Sequence, residues 1–167
     1  MHNVRNVLAA VGAGIALGVE LEQLAPGLET FTGVERRFQR LGEAHGITVV
    51  DDYAHHPTEI AATLEAARSA FPGRRIIAAF QPHRYTRTRD QLSEFPRAFH
   101  DADKVVMCDI AAAGEKPIEG VSSEIVVKLA REAGHKDITY VPRREDLSAW
   151  LYTPANPGDL LIPLGAC

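Results

Sequence analysis

Two hydropathy rhythms divide the chain. From residue 47 onward, continuous apolar runs alternate with stretches of helical period. The runs ITVVDD (47–52), RRIIAAF (74–80), KVVMCDI (104–110), DITYV (137–141) and DLLIPLG (159–165) read as strands. Residues 57–71, 86–100, 122–134 and 143–152 read as helices. In the first of these, Ile60, Leu64, Ala67 and Phe71 fall on one face, and Pro57 suits the first helical position. Strands without a polar face, alternating with helices, predict an α/β domain with a mostly parallel sheet and helices on both faces. Before residue 47 the pattern is helical. Residues 3–18 are apolar almost all round (Val4, Val7, Leu8, Val11, Ile15, Leu17), and a second helix is expected near 21–31. A helix apolar on every side is expected to be buried on every side.

This arrangement directs attention to the strand ends, because ligands of open α/β sheets bind outside the carboxyl ends of the strands. Three polar loops fall there: DDYAHHP after the first run, QPHRYTRT after the second and AAAGEKP after the third. They are expected along one rim. In DDYAHHP (51–57), aspartates at a strand end can accept from ribose hydroxyls, and two histidines ahead of a helix can orient or protonate a substrate. The same residues also make a good helix-capping loop. In QPHRYTRTRD (81–90), Arg84, Arg87 and Arg89 can form an anion cradle for a carboxylate or phosphate, or they can be solvated on an exposed face. Tyr85 is a single aromatic, too little for the stacking platform of a single-strand binder.

Other segments carry less. GAGIALG (12–18) mimics a dinucleotide fingerprint, but no strand precedes it, and close helix packing is the better reading. In HNVRN (2–6), Asn3 can cap a helix, or the asparagine amides can pair with an adenine edge. In FTGVERRF (31–38), Thr-Gly marks a turn, and Arg36 and Arg37 fit either a linker or a phosphate contact.

Composition narrows the function. The chain has 167 residues, 46% of them apolar, and a net charge of −4 from 18 basic and 22 acidic residues. Its surface as a whole does not advertise nucleic acid or an anionic membrane. Cys108 and Cys167 are far apart and form no CxxC pair, which argues against a disulfide framework or a zinc knuckle and fits a reducing cytoplasm. The His55–His56 pair has no evident third ligand, so no metal site is expected. The apolar stretch 7–19 is shorter than the roughly 17 residues a spanning helix needs and lacks a convincing signal-peptide cleavage site.

Taken together, HNVRN, FTGVERRFQ, VVDDYAHHPTEI, FQPHRYTRTRD, AAAGE and PGDLL resemble the ATP-dependent Mur ligases of peptidoglycan synthesis over essentially the whole chain. Within that family they are most similar to the branch that adds L-alanine to UDP-N-acetylmuramate. The recycling branch, which attaches a tripeptide to the same sugar nucleotide, is similar around the first motif but is not expected to carry QPHRYTRT. The resemblance implies that residues 1–36 are the helical end of the central ATP-binding domain. It implies that residues 37–167 are the C-terminal Rossmann-like domain that closes over ATP. The sequence contains no GxxxxGK[ST] P-loop. The ligands of Mg2+ are expected in the central domain, and the chain alone is expected to be inactive.

The family reaction activates a carboxylate as an acyl phosphate, which the amine of L-alanine attacks. By resemblance, Asn3 and Asn6 belong at the adenine end of ATP, Arg37 near its phosphates, Asp52 on the ribose side and Tyr53 at the nucleotide wall. His55, Arg84 and Arg87 belong around the amino acid and the reacting carbonyl, with His83 beside them. Ala54 stands where many members have glycine, and Pro96 is expected to kink or restart the helix after the arginine loop. A cytoplasmic enzyme is implied, with no nucleic-acid or membrane partner. The helix at 3–18 is expected to fold back on the Rossmann-like domain or to associate with another copy. The rival readings are a stand-alone nucleotide- or anion-binding module and a structural interaction domain.

Overall fold

A computed structural model describes residues 2–31, 33–153 and 155–166, with only the backbone of residues 2 and 3. The chain forms two compact units, 1–34 and 35–167. The first contains helices α1 (His2–Ala16) and α2 (Leu21–Glu29). Gly14 is where α1 meets α2: a Cβ there would come within 2.8 Å of Leu24 Cδ1. The glycines of GAGIALG thus include one used for close packing. Val4, Leu8, Ile15 and Leu17 are exposed, so the all-round burial expected from the apolar pattern is not met.

The second unit is an α/β sandwich. Its elements in chain order are β1 (Gln39–Ala44), β2 (Ile47–Asp51), α3 (Pro57–Ala70), β3 (Ile76–Gln81), α4 (Tyr85–Asp90), α5 (Phe95–Ala98), β4 (Lys104–Met107), α6 (Ser123–Glu132), β5 (Ile138–Tyr140), α7 (Leu147–Tyr152) and β6 (Leu160–Gly165). They build a six-stranded sheet of order β1-β2-β6-β3-β4-β5, parallel except for β1. Each of the apolar runs forms a strand where expected. The edge strand β1 was not foreseen. It is polar, largely exposed, and joined to β2 by a two-residue turn, His45–Gly46, with φ of +52° and +75°. Positive φ at both central residues is what a tight hairpin requires.

Every residue of β3 is buried. On one face, α3, α5 and α6 pack Ile60, Leu64, Phe95, Phe99 and Val126 against Val50, Phe80 and Leu164. On the other, α7 packs Leu147 and Leu151 against Ile77, Val106 and Cys108. The helix expected over 86–100 is two helices, α4 and α5. Pro96 lies in the first turn of α5, where its missing N–H costs nothing.

The two edges of the sheet differ in chemistry. At the amino ends, Arg74 is a staple: its guanidinium donates to Gly158 O at 2.6 Å, Thr48 Oγ1 at 2.8 Å, Asp159 O at 2.6 Å and Gly46 O at 3.4 Å. The carboxyl ends hold the polar loops. β6 enters between β2 and β3, so their following loops flank its end. There Gly165, at φ +75°, allows the chain to turn: a Cβ would fall 2.6 Å from Gln81 O.

Candidate active site

The first loop is built around Asp52. Its carboxylate accepts from Ala54 N–H at 2.8 Å, Phe38 N–H at 2.9 Å and the Thr63 hydroxyl at 3.2 Å. The residue is only 5% exposed. These three bonds aim the Asp52 carboxylate into its own loop, which they hold in shape. Next to it, Asp51 pairs with Arg36 Nε at 2.9 Å. The Arg36 guanidinium lies 5.0 Å from the centre of the Tyr53 ring and also donates to Gly165 O at 3.0 Å. Arg36 therefore ties the β2 loop to the end of β6 and backs the partly exposed face of Tyr53.

The histidines divide the work. His56 caps α3: its Nδ1 accepts from Thr58 N–H at 3.2 Å, and Glu59 accepts from the N–H groups of His55 and His56 at 3.1 and 3.3 Å. This is a capping box with a histidine in the position of the usual serine. Burial alone would raise the Glu59 pKa, but these two N–H groups, His55 and Arg37 together hold it below the ordinary value. Arg37 approaches Glu59 at 3.7 Å and is half exposed, a weak surface pair. The His55 ring stands edge-on to Tyr53 at 5.2 Å, with Nδ1 at 3.0 Å from Tyr53 O.

The second loop carries the arginines. His83 and Ala111 form an isolated parallel bridge, and Arg84 N–H donates to Ala111 O at 2.9 Å. Arg84 itself has φ +73° and ψ 137°, a region that side chains other than glycine enter at a cost of about 1–3 kcal/mol. Its guanidinium is exposed and has no hydrogen bond to the described residues. One helical turn on, Arg87 Nη1 lies 3.3 Å from His83 Nδ1. Arg89 is different: it pairs with its neighbour Asp90 at 2.8 Å on the exposed side.

The third loop contributes Glu115, which the sequence reading did not single out. It accepts from the Thr86 hydroxyl at 2.7 Å and from Thr86 N–H at 3.0 Å. These bonds, the hydroxyl first, hold its carboxyl below the ordinary pKa, and Arg84 adds to the effect. An acidic residue in a loop of the same rim was the available signal. Burial lowers the His83 pKa, and the charges of Arg87, Arg84 and His55 lower it further against the opposing pull of Glu115. His55, His83, Arg84 and Arg87 thus lie within electrostatic reach of one another on adjoining loops. Arg37 and Tyr53 join them through Glu59 and His55.

Asn6 belongs to α1 and the other unit, and the side chain of Asn3 lies outside the described residues. Among the described residues no three His, Cys, Asp or Glu side chains gather as a metal site. A cavity of about 360 Å³ lined by Lys104, Ala149, Trp150 and Thr153 lies by α7 and the amino end of β4, away from this rim.

The rim offers an exposed guanidinium on a strained backbone, a second guanidinium against an imidazole whose pKa is lowered, and a partly exposed aromatic face. That combination suits a small anionic substrate beside a planar ring. Residues 36–167 match the family model described as Mur ligase, glutamate ligase domain. The chain belongs to the Mur ligase family. It is 51% identical over 166 residues to UDP-N-acetylmuramate–L-alanine ligase of Salinibacter ruber, covering 99% of this chain and 35% of that protein. With the Geobacter sulfurreducens ligase of the same name the identity is 52% over 165 residues, covering 99% and 36%. The chain therefore spans about a third of the length of the curated relatives it matches. Among solved Mur ligases, a UDP-N-acetylmuramate–alanine ligase from Thermotoga maritima superposes with a TM-score of 0.80 at 29% identity, covering all of this chain and 35% of the other. A murein peptide ligase from Psychrobacter arcticus gives 0.74 at 26% identity, covering 99% and 34%. Mur ligases are ATP-dependent ligases, and the α/β fold expected from the sequence is the one these relatives share. No helix among the described residues is long and apolar enough to cross a membrane.

Proposed function

We propose that this chain supplies the amino-acid-binding and nucleotide-closing part of a cytoplasmic ligase that joins L-alanine to UDP-N-acetylmuramate at the expense of ATP. The observation that carries the reading is the arginine loop, which presents Arg84 exposed, on a strained backbone and without a hydrogen bond to the described residues, at the carboxyl edge. The names of relatives identical at about half of their aligned positions support the choice of substrates. On this reading residues 1–36 end the ATP-binding domain, and residues 37–167 form the closing domain.

The roles follow from chemistry. Transfer of the γ-phosphoryl group of ATP turns the UDP-N-acetylmuramate carboxylate into an acyl phosphate, leaving ADP. The alanine amine attacks that carbonyl, and the tetrahedral species collapses to amide and inorganic phosphate. Arg84 grips the alanine carboxylate, and Arg87 supplies fixed positive charge where the oxyanion and the departing phosphate develop. Tyr53 forms a wall for the nucleotide, with Arg37 towards its phosphates. Asp52 lies on the ribose side and holds the loop there. No described residue is assigned to Mg2+. Catalysis of this kind rests on positioning and charge.

The test is phosphate release by the protein encoded by the complete reading frame, given ATP, Mg2+ and UDP-N-acetylmuramate, across a panel of acceptors. Release that requires both the sugar nucleotide and L-alanine is expected. Release driven by a tripeptide and not by alanine would move the protein to the recycling branch. Release by no acceptor would leave an anion-binding module.

A further inference from the structure

The two rim histidines have their Nδ1 atoms committed to partners of opposite kind. Arg87 Nη1 lies 3.3 Å from Nδ1 of His83. A guanidinium has only donors, so this nitrogen bears the lone pair, and a neutral His83 keeps its proton on Nε2. His55 Nδ1 lies 3.0 Å from Tyr53 O. A carbonyl only accepts, so here Nδ1 bears the proton, and Glu59 Oε2 at 3.8 Å favours the same form. A neutral His55 then carries its lone pair on Nε2. The tautomer of a histidine is set by the partner of its other nitrogen, and the two partners here are chemically opposite.

We infer that His55 and His83 form a complementary pair, His55 taking a proton at Nε2 from the incoming ammonium and His83 donating its Nε2–H to the oxygen where negative charge develops. The tautomers stand on hydrogen-bond chemistry alone; the roles rest on the ligase reading above. An N–H bond of the ammonium breaks, its electron pair stays on nitrogen for attack, and the proton joins His55 Nε2. The imidazolium then passes that proton to water. His83 transfers no proton. Interchanging the roles fails on charge, because His83 faces Arg87, Arg84 and His55 against the opposing Glu115, whereas His55 Nδ1 has Glu59 beside it.

The pair is tested in the 167-residue chain labelled with 15N-histidine, by long-range proton–nitrogen correlation above pH 7. The expected pattern is bare Nδ1 and protonated Nε2 in His83, with the reverse in His55. The Nδ1–H form is the minority tautomer of free histidine, so finding His55 with Nε2–H would overturn its assignment as base. His83 with Nδ1–H would overturn the donor. In Arg87→Ala the His83 titration should move to higher pH, and an unmoved titration would contradict the contact. With the complete reading frame, His55→Gln should lose kcat most near neutral pH, where an imidazole is free to accept and the amine is still protonated, and least at high pH, where the amine is already free. His83→Gln keeps an N–H at the ε position and should turn over about tenfold faster than His83→Asn; equal rates would sink the donor role. The spectra need no turnover. Tautomers as stated in a protein without ligase activity would overturn the ligase reading and the roles together. Reversed tautomers in an active ligase would overturn this inference alone.

Discussion

Arg84→Gly should make the protein more stable while removing its function. The backbone at Arg84 has φ +73° and ψ 137°, where a residue with a Cβ is held at a cost of about 1–3 kcal/mol. Glycine enters that region freely but raises the entropy of the unfolded chain, which returns about 0.5–1 kcal/mol. The local hydrogen bonds are of main-chain origin: Arg84 N–H to Ala111 O, and Arg84 O accepting from Thr88 N–H at 3.1 Å and from the Thr88 hydroxyl at 2.9 Å. All survive the substitution. The exposed guanidinium gives up no hydrogen bond to the described residues. The balance is a gain of about 1 kcal/mol, or a Tm rise of about 2–4 °C for a chain of this size. Arg84→Ala is the control, since it removes the same guanidinium and keeps the strain, so its stability should stay within about 0.5 kcal/mol of the parent. Urea unfolding of the three proteins measures the difference. If the glycine variant proved no more stable than the alanine variant, the backbone strain would not exist, and the argument that Arg84 is held in place for function would lose its base.

Three further outcomes follow from the same geometry. Arg74→Ala removes the staple of the amino edge and should cost about 2–3 kcal/mol in urea unfolding, since hydrogen bonds to two carbonyls and to the Thr48 hydroxyl are lost at once. Gly165→Ala should cost a similar amount, about 2–3 kcal/mol, because its Cβ would meet Gln81 O at 2.6 Å and its φ is +75°; no loss on chemical unfolding would contradict the close approach. His135 is buried, and burial lowers its pKa from the ordinary value of 6.5. The unfolded chain therefore binds the extra proton first, so stability is full above about pH 6.5 and falls as pH drops below it. His135→Gln, whose amide can still donate to Ala102 O, should flatten the stability profile between about pH 7 and 5.

Much of the fold was legible because buried parallel strands are written as short continuous apolar runs that alternate with stretches of helical period. β1 was not, because QRLGEA is polar and pairs along one side only. Its one signal was His45–Gly46 before an apolar run. The break between α4 and α5 was half legible: Pro96 announced an interruption, but a proline belongs in a first turn, so the break precedes it. Helix α1 illustrates the opposite limit, since an apolar pattern states a demand for burial without supplying a partner, and Val4, Leu8 and Leu17 remain exposed. At the site, the residue types of the two motif loops pointed to the rim, but sequence could not say which carboxylate was spent internally. Asp52 turned out to bind its own loop, and Glu115 came from a third loop that only folding brings to Thr86.

The central claim is that Arg84 grips the carboxylate of the incoming amino acid. Its most direct test is the KM for L-alanine of the protein from the complete reading frame, in Arg84→Ala and Arg89→Ala side by side. Loss of a charge-assisted hydrogen bond predicts a rise of about tenfold or more for Arg84→Ala. Arg89, already paired with Asp90 at 2.8 Å, should leave KM within about twofold. Equal effects from the two arginines, or an unchanged KM in Arg84→Ala, would contradict the assignment of this loop to the amino acid.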